Sequence, residues 1–385
     1  MVTIDWGDGS PPTMLNLDAG ALSFTAPAHQ YLDNLPGDAP YAITVTLTDD
    51  DGGTATASAA TTVHNVAPTI SAVTSSSPGV GGARQCQAVT VSATFADMGA
   101  LDTHTAIINW GDGTTTAAVI SESGGSGTAA GSHAYANGGI YSVVVTLKDD
   151  NNGTATAVTS AVIAGVGVHD GTLQIIGTNA HDHVTVSKLC HDWLLVHASF
   201  LPGCGLRMFN AEDIDEIAIL LGGGDDHASI ANNVRTTAIL DGGAGDDKLD
   251  GSGAASILLG GDGDDMLNAG SGYNILIGGA GSDRLVGRGS GDILIAGATT
   301  LDIEDAALSA GFDHALLAVL AEWSSTAPYQ TRVDKVRTLF SAFDDDAKDT
   351  LTGLSGRDWF FANLHGGVQD RITDLSRNEV VDEID

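Results

Sequence analysis

A nine-residue phrase repeats without a slip from Gly242 to Ile295, and that leaves the chain little choice of architecture. Gly242-Gly243-Ala244-Gly245-Asp246-Asp247-Lys248-Leu249-Asp250 is followed by rows beginning at Gly251, Gly260, Ala269, Gly278 and Gly287. The eighth position is always leucine: Leu249, Leu258, Leu267, Leu276, Leu285 and Leu294. A short fixed period with one core-type residue per row is the signature of a solenoid, each row laying one rung on the last. The first six positions must turn tightly, and glycine supplies the positive φ that other residues resist. The last three read as a short strand whose central leucine points inward.

The sixth position carries the chemistry. Turns stacked at strand spacing, about 4.8 Å, bring their carboxylates and carbonyls together, and those carboxylates would repel one another. Calcium (Ca2+), a hard ion taking six to eight oxygens, resolves that conflict. Rows 242, 260 and 278 match G-G-x-G-x-D-x-L-x throughout, whereas rows 251, 269 and 287 carry Ser256, Asn274 and Asp292 at the sixth position. Two rows make one coil, so alternate rows should stack on the same side. One edge is then expected to gather Asp247, Asp265 and Asp283. The turn Gly222-Gly223-Gly224-Asp225-Asp226, one coil and a three-residue insertion upstream, extends that edge with Asp226. The opposite edge is expected to hold one weaker site between Asn274 and Asp292.

These rows resemble the calcium-binding nonapeptide repeats of the repeats-in-toxin (RTX) family, which form a parallel β-roll. The resemblance is strong from Asp241 to Ile295 and fades over residues 171–232. It implies that Asp side chains and glycine-turn carbonyls hold calcium at the matching positions. Those are Gly222, Gly224 and Asp226; Gly243, Gly245 and Asp247; Gly261, Gly263 and Asp265; Gly279, Gly281 and Asp283. In that family calcium dependence is linked to secretion in an unfolded state and folding outside the cell.

Residues 1 to about 165 carry a different repeat. Trp6-Gly7-Asp8-Gly9 returns as Trp110-Gly111-Asp112-Gly113, and His29-x-Tyr31 as His133-x-Tyr135, at one offset of 104 residues. Each copy then gives an alternating strand, from Tyr41 and from Tyr141, running into an acidic turn at Asp49 to Gly53 or Asp149 to Gly153. Period-two patterning between Gly/Asp/Asn turns argues for two β-sandwiches in tandem. They resemble PKD (polycystic-kidney-disease) domains, Ig-like modules common in large secreted and surface proteins. The second copy has residues 66–105 ahead of its Trp110 strand; the first lacks an equivalent, so it reads as truncated. Trp6 and Trp110 are expected to fill cores and not to stack on sugars. His29 and His133 read as structural, and both acidic turns as solvated hairpin turns.

Residues 171–232 read as an irregular, mostly metal-free lead-in. Its histidines His181, His183, His191 and His197 do not complete a zinc set. After Ile295 helical spacing takes over: Phe312, Leu316, Val319, Leu320 and Trp323, then Val333, Val336, Leu339, Phe340 and Phe343. A helical hairpin over residues 303–343 is predicted. The nonapeptide register returns with Asp349 and Leu351, then Asp358 and Phe360, and Trp359, Phe360 and Phe361 are expected to plug the open end.

With 50 glycines and 5% aromatics the composition suits stacked turns and strands, not one large core. A net charge of −34 weighs against nucleic-acid or anionic-membrane partners and suits a calcium-loaded protein. No apolar run reaches membrane-span length, and no signal peptide opens the chain. Val2 to Trp6 reads as mid-domain, so the expectation is a fragment of a longer protein. Of three cysteines, Cys190 and Cys204 flank an expected hairpin and are open to pairing, leaving Cys86 single.

The expected fold is mainly β: two Ig-like sandwiches, then a parallel β-roll with a helical hairpin insertion and a capped C-terminus. Its parts are a truncated PKD-like sandwich (1–66), a second PKD-like sandwich (67–165), the lead-in (166–232), the calcium-binding roll (233–304), the helical insertion (305–343) and final rungs with a cap (344–385). No G-x-S-x-G, H-E-x-x-H or phosphate-binding loop is present, and no catalysis is expected. The expected function is calcium binding by a roll that folds on metal uptake, in an extracellular or cell-surface structural or adhesion protein. An extracellular protein or a carbohydrate surface is the candidate partner. The alternatives are the accessory C-terminal region of a large secreted hydrolase, and a carbohydrate-binding module.

Overall fold

The structure is a computed structural model and describes residues 1–189, 192–301 and 314–385. It divides into two units. Met1–Thr74, Val91–Gly131 and Val143–Val158 form the first; Ser75–Thr90, Ser132–Ser142 and Thr159–Asp385 form the second.

In the first unit, alternating strands pair antiparallel. Val2–Asp5 lies between Thr13–Leu15 and Tyr41–Thr48, which pairs onward with Thr54–Thr61. This four-stranded sheet has no second sheet of its own: Thr54–Thr61 is exposed at every residue but its last. Among residues 1–66 the first copy is a single four-stranded sheet. In the second copy His104–Asn109 pairs with Thr115–Ala117 and with residues 144–149. Phe95, Ala106, Ala129 and Leu147 form its buried cluster.

The two copies share their detail. Tyr31 stacks on Tyr41 at 4.6 Å, and Tyr135 on Tyr141 at 4.1 Å. Trp6 Nε1 donates to Thr13 Oγ1 and Trp110 Nε1 to Thr116 Oγ1, both at 2.9 Å. Trp110 is fully buried. Trp6 is half-buried, stacked on His29, whose Nε2 lies 2.7 Å from Asp8 Oδ2. One acidic turn departs from its expected solvated state: Asp149 is buried, whereas its counterpart Asp49 is exposed.

In the second unit the nine-residue period becomes two parallel sheets. One runs from Thr172–Ile176 through Glu216–Gly223, Thr237–Ala244, Ser256–Asp262, Asn274–Ala280, Ile293–Ile295 and Trp359–Ala362 to Val380–Glu383. The other runs from His183–Lys188 through His227–Ile230, Lys248–Asp250, Met266–Asn268, Arg284–Val286 and Thr350–Thr352 to Arg371–Ile372. The register places Leu240, Leu258, Leu276, Leu294 and Phe360 in one file, and Leu249, Leu267, Leu285 and Leu351 in the other. All nine are fully buried in one continuous core. Two rows make one coil. Each coil removes two leucine-sized side chains from water, about 1.5–3 kcal/mol apiece.

The lead-in is more regular than its sequence. His183–Lys188 and Thr172–Ile176 are rungs in register with those that follow, and the departure is an antiparallel excursion, Trp193–Ala198 and Leu206–Asn210. Cys86 and Cys204 are exposed. Cys190 and His191, and with them the proposed pairing, lie outside the described residues. So do Phe312 and the start of the first expected helix.

Within the described residues the helices are His314–Trp323 and Tyr329–Val336. The second stops short of the predicted end: Leu339 is exposed, and Phe343 belongs to a short strand, Ala342–Phe343, pairing antiparallel with Ala298–Thr299. That pairing takes up backbone groups a longer helix would have used. Trp359 and Phe360 are buried but do not end the roll, because Val380–Glu383 adds a further rung beyond them. Phe360 takes the leucine file, while Trp359 and Phe361 meet Trp323 and Phe340 of the insertion.

Candidate metal centre

Each turn of the roll is built so that backbone, not side chain, lines it. Gly222, Gly224, Gly243, Gly245, Gly261, Gly263, Gly279 and Gly281 all have φ between 98° and 130°. A Cβ on Gly261 would run into the carbonyl of Gly243 one coil away, so glycine is required there by space as well as by dihedral. The first glycine of each strong row faces its own sixth residue. A Cβ at Gly242, Gly260 or Gly278 would collide with Oδ2 of Asp247, Asp265 or Asp283.

The sixth-position aspartates form a ladder. The N–H of Asp226 donates to Asp247 Oδ1 at 2.7 Å, Asp247 to Asp265 at 2.7 Å and Asp265 to Asp283 at 2.8 Å. It continues from Asp283 to Asp349 at 2.7 Å and from Asp349 to Asp370 at 2.9 Å. One oxygen of each carboxylate thus ties two coils together. The other is bare: Oδ2 of Asp226, Asp247, Asp265, Asp283 and Asp349 is buried without a hydrogen-bond partner. Burial pushes Asp226 and Asp265 up to about 7, Asp247 to about 6 and Asp283 to about 8, with neighbouring carboxylates adding to the shift.

The opposite edge has its own ladder. Ser256 N donates to Asn274 Oδ1 at 3.0 Å, Asn274 N to Asp292 Oδ1 at 2.9 Å and Asp292 N to Asp358 Oδ1 at 2.7 Å. Here the Asn274 amide does what a cation would do. Its Nδ2 donates to Asp292 Oδ1 at 2.8 Å and to the carbonyls of Gly272 and Gly270 at 3.0 and 3.3 Å. Asp292 Oδ2 accepts from Gly289 N at 3.1 Å. The pair expected to hold a weak site is therefore satisfied by hydrogen bonds. The orphaned oxygen of this edge is Oδ2 of Asp358, whose carboxyl burial raises to about 8. Asp349 and Asp358, at the sixth position of the returning register but with fewer of the repeat's glycines around them, join the expected residues through their orphaned Oδ2 atoms.

The donor set fits calcium. Hard anionic oxygens, buried, unpartnered and backed by turn carbonyls, match an ion that coordinates oxygen alone. They do not resemble a zinc site, which takes nitrogen or sulfur. Among the described lead-in histidines, Asp225 N–H donates to His181 at 2.9 Å, and the ring of His183 stands 6.3 Å from that of His197 and 4.9 Å from that of His227.

Fold and turn chemistry together define a parallel β-roll whose edge is laid out for a hard cation. Comparison with protein families agrees. Residues 241–276, 259–294 and 343–365 match the RTX calcium-binding nonapeptide repeat, and residues 65–164 match the PKD domain. The chain carries a PKD domain followed by RTX repeats, and its β-roll is a calcium-binding one. No match was found among curated protein sequences. Both modules are typically non-catalytic and typical of extracellular or secreted proteins. No described helix is long and apolar enough to cross a membrane.

Proposed function

We propose that the roll is a calcium-gated folding module in an extracellular structural or adhesion protein. The single observation that carries this is the file of buried, unpartnered Oδ2 atoms on Asp226, Asp247, Asp265 and Asp283. In this reading those oxygens and the carbonyls of Gly222, Gly224, Gly243, Gly245, Gly261, Gly263, Gly279 and Gly281 hold calcium between successive turns. Asp349 and Asp358 belong to the same scheme. On the second edge Asn274 replaces a cation with its amide, and Asp292 is shared between that amide and Asp358.

Calcium supplies the positive charge that lets these carboxylates be buried ionised. Everything else is done by the chain: glycines bring the carbonyls in, the Oδ1 ladder sets the spacing, and the leucine files close the coil. Binding free energy then becomes folding free energy. Where calcium is scarce the turns repel and the roll loosens; where it is abundant, as outside cells, the roll closes. The PKD-type modules serve as spacers or adhesive contacts toward a protein or carbohydrate surface.

The test is a calcium titration of the full chain in chelator-stripped buffer, followed by far-UV circular dichroism, beside Asp247→Ala/Asp265→Ala/Asp283→Ala. The reading predicts a rise in β-signal with calcium that the triple variant loses. A roll that is equally folded without calcium would overturn it.

A further inference from the structure

The first unit contains a second place where buried carboxylates gather. Asp97, Asp102 and Asp149 each offer an oxygen, and these atoms lie within 4.8 Å of one another. That is about the greatest separation two oxygens can have when each sits near 2.4 Å from one calcium ion. The group is the one set of this kind among the described residues, and it lies outside the RTX repeats.

Unlike the solvated acids of the surface, these are inside. Asp102 is 6% and Asp149 3% exposed, and the Asp97 side chain is fully covered. Asp97 and Asp149 have a partner at each oxygen: Asp97 Oδ1 accepts from Gly99 N at 2.9 Å and its Oδ2 faces His104, while Asp149 Oδ1 accepts from Asn151 N at 2.9 Å and Gly153 N at 2.6 Å and its Oδ2 from Asn65. Asp102 is the exception: neither of its buried oxygens accepts from an N–H or hydroxyl donor, and its one close polar neighbour is another carboxyl, that of Asp33. Gly99 is what lets this carboxylate lie against the loop, because a Cβ there would strike it. Asn65 Nδ2 donates to Asp149 Oδ2 at 2.9 Å while its own Oδ1 is buried and unpartnered, a neutral oxygen beside the acidic ones.

Nearby charge does not settle the imbalance. His104, fully covered, lies between Asp97 Oδ2 at 3.1 Å and Glu122 Oε2 at 2.7 Å, so it faces one carboxylate of the group and one outside it and leaves Asp102 without a donor. Asp33 and Asp150 add negative charge around Asp102, and burial followed by the Asp33 carboxyl raises its pKa. A buried carboxylate with two bare oxygens costs several kcal/mol unless something neutralises it.

We propose that Asn65, Asp97, Asp102 and Asp149 form a divalent-cation site for calcium in the first unit, separate from the roll. An all-oxygen set of three carboxylates and one amide, completed by water or backbone carbonyls, suits calcium's six to eight ligands. The site pins the loop at 97–102 to the turn at 149–153 and to the segment around Asn65 that leads into the PKD domain. Calcium stiffens this unit as well as folding the roll.

Hydrogen exchange of the full chain, read by mass spectrometry on peptides spanning 95–105 and 147–154, tests this with calcium, with magnesium and with chelator. The proposal expects calcium at about ten times the dissociation constant to slow exchange in these peptides about tenfold. It expects magnesium to do less, and Asp102→Asn to lose the response while the roll peptides at 240–286 keep theirs. Equilibrium dialysis of that variant should find one calcium fewer per chain. Wild-type peptides at 95–105 and 147–154 that ignore calcium while the roll responds would overturn the proposal, as would an Asp102→Asn chain that keeps the response. The wild-type comparison stands alone even if the variant folds poorly, and it fails independently of the roll's own calcium reading.

Discussion

At the scale of the residue, the roll offers its own control experiment. Asn274 occupies the position that Asp265 occupies one row earlier, and its Nδ2 hydrogens take the carbonyls of Gly270 and Gly272. Asp265 has no such hydrogens, and its Oδ2 is left bare. Asp265→Asn should therefore stabilise the calcium-free roll and weaken calcium binding by at least about tenfold, or about 1.4 kcal/mol. Isothermal titration paired with chemical denaturation in chelator checks both halves; a variant that binds calcium as tightly as the parent would count against Oδ2 as a ligand. The same carboxyls set a pH dependence. Asp226, Asp247, Asp265 and Asp283 are raised in the folded chain from 3.8 to between about 6 and about 8. The folded state then binds more protons, so this contribution is fully present below about pH 4 and is lost as pH rises through 6 to 8. In chelator the melting temperature should be higher at pH 5 than at pH 8. Because calcium binds the ionised form, its stabilising effect should run the other way, largest at pH 8. A calcium-free melting temperature that climbs between pH 5 and pH 8 would contradict the assignment of these groups.

At the scale of the element, the two periods predict different costs. Leu267 lies in the middle of its file, fully buried between Leu249 and Leu285. Leu267→Ala should cost about 2–5 kcal/mol in calcium. Leu339, which helical spacing placed in the core, is exposed beyond the end of Tyr329–Val336, and Leu339→Ala should cost under about 0.5 kcal/mol. Urea denaturation of both variants checks the contrast; equal costs would mean the helix runs on as its spacing suggested. The insertion is fastened by polar groups that spacing does not reveal. Trp323 Nε1 donates to Gly291 O at 2.9 Å, Tyr329 Oη donates to Asp358 O at 2.7 Å, and the buried Arg332 guanidinium lies 4.7 Å from the Trp323 ring. The nonapeptide was readable because each row repeats one local rule, glycine for the turn and leucine for the rung. The end of the second helix and the burial of Asp149 were not, because each depends on a partner distant in sequence. The Asn274 amide bonds on the second edge belong with these, because they cannot be seen until the carbonyls of Gly270 and Gly272 are located.

At the scale of the whole molecule, a net charge of −34 sits on a fold that buries carboxylates in files. Each sixth-position aspartate uses Oδ1 to hold the preceding coil, so ordering one turn orders the next. Such nearest-neighbour coupling is the energetic form of a solenoid. It predicts a calcium-binding curve steeper than independent sites would give, and a non-cooperative curve from equilibrium dialysis would show the turns acting singly. The central claim, that cations sit between successive sixth-position turns, is tested most directly by X-ray diffraction from crystals grown in calcium and measured at long wavelength. Anomalous peaks are expected between the turns of Asp226 and Asp247, Asp247 and Asp265, and Asp265 and Asp283. A well-ordered roll with no anomalous density along that edge would contradict it.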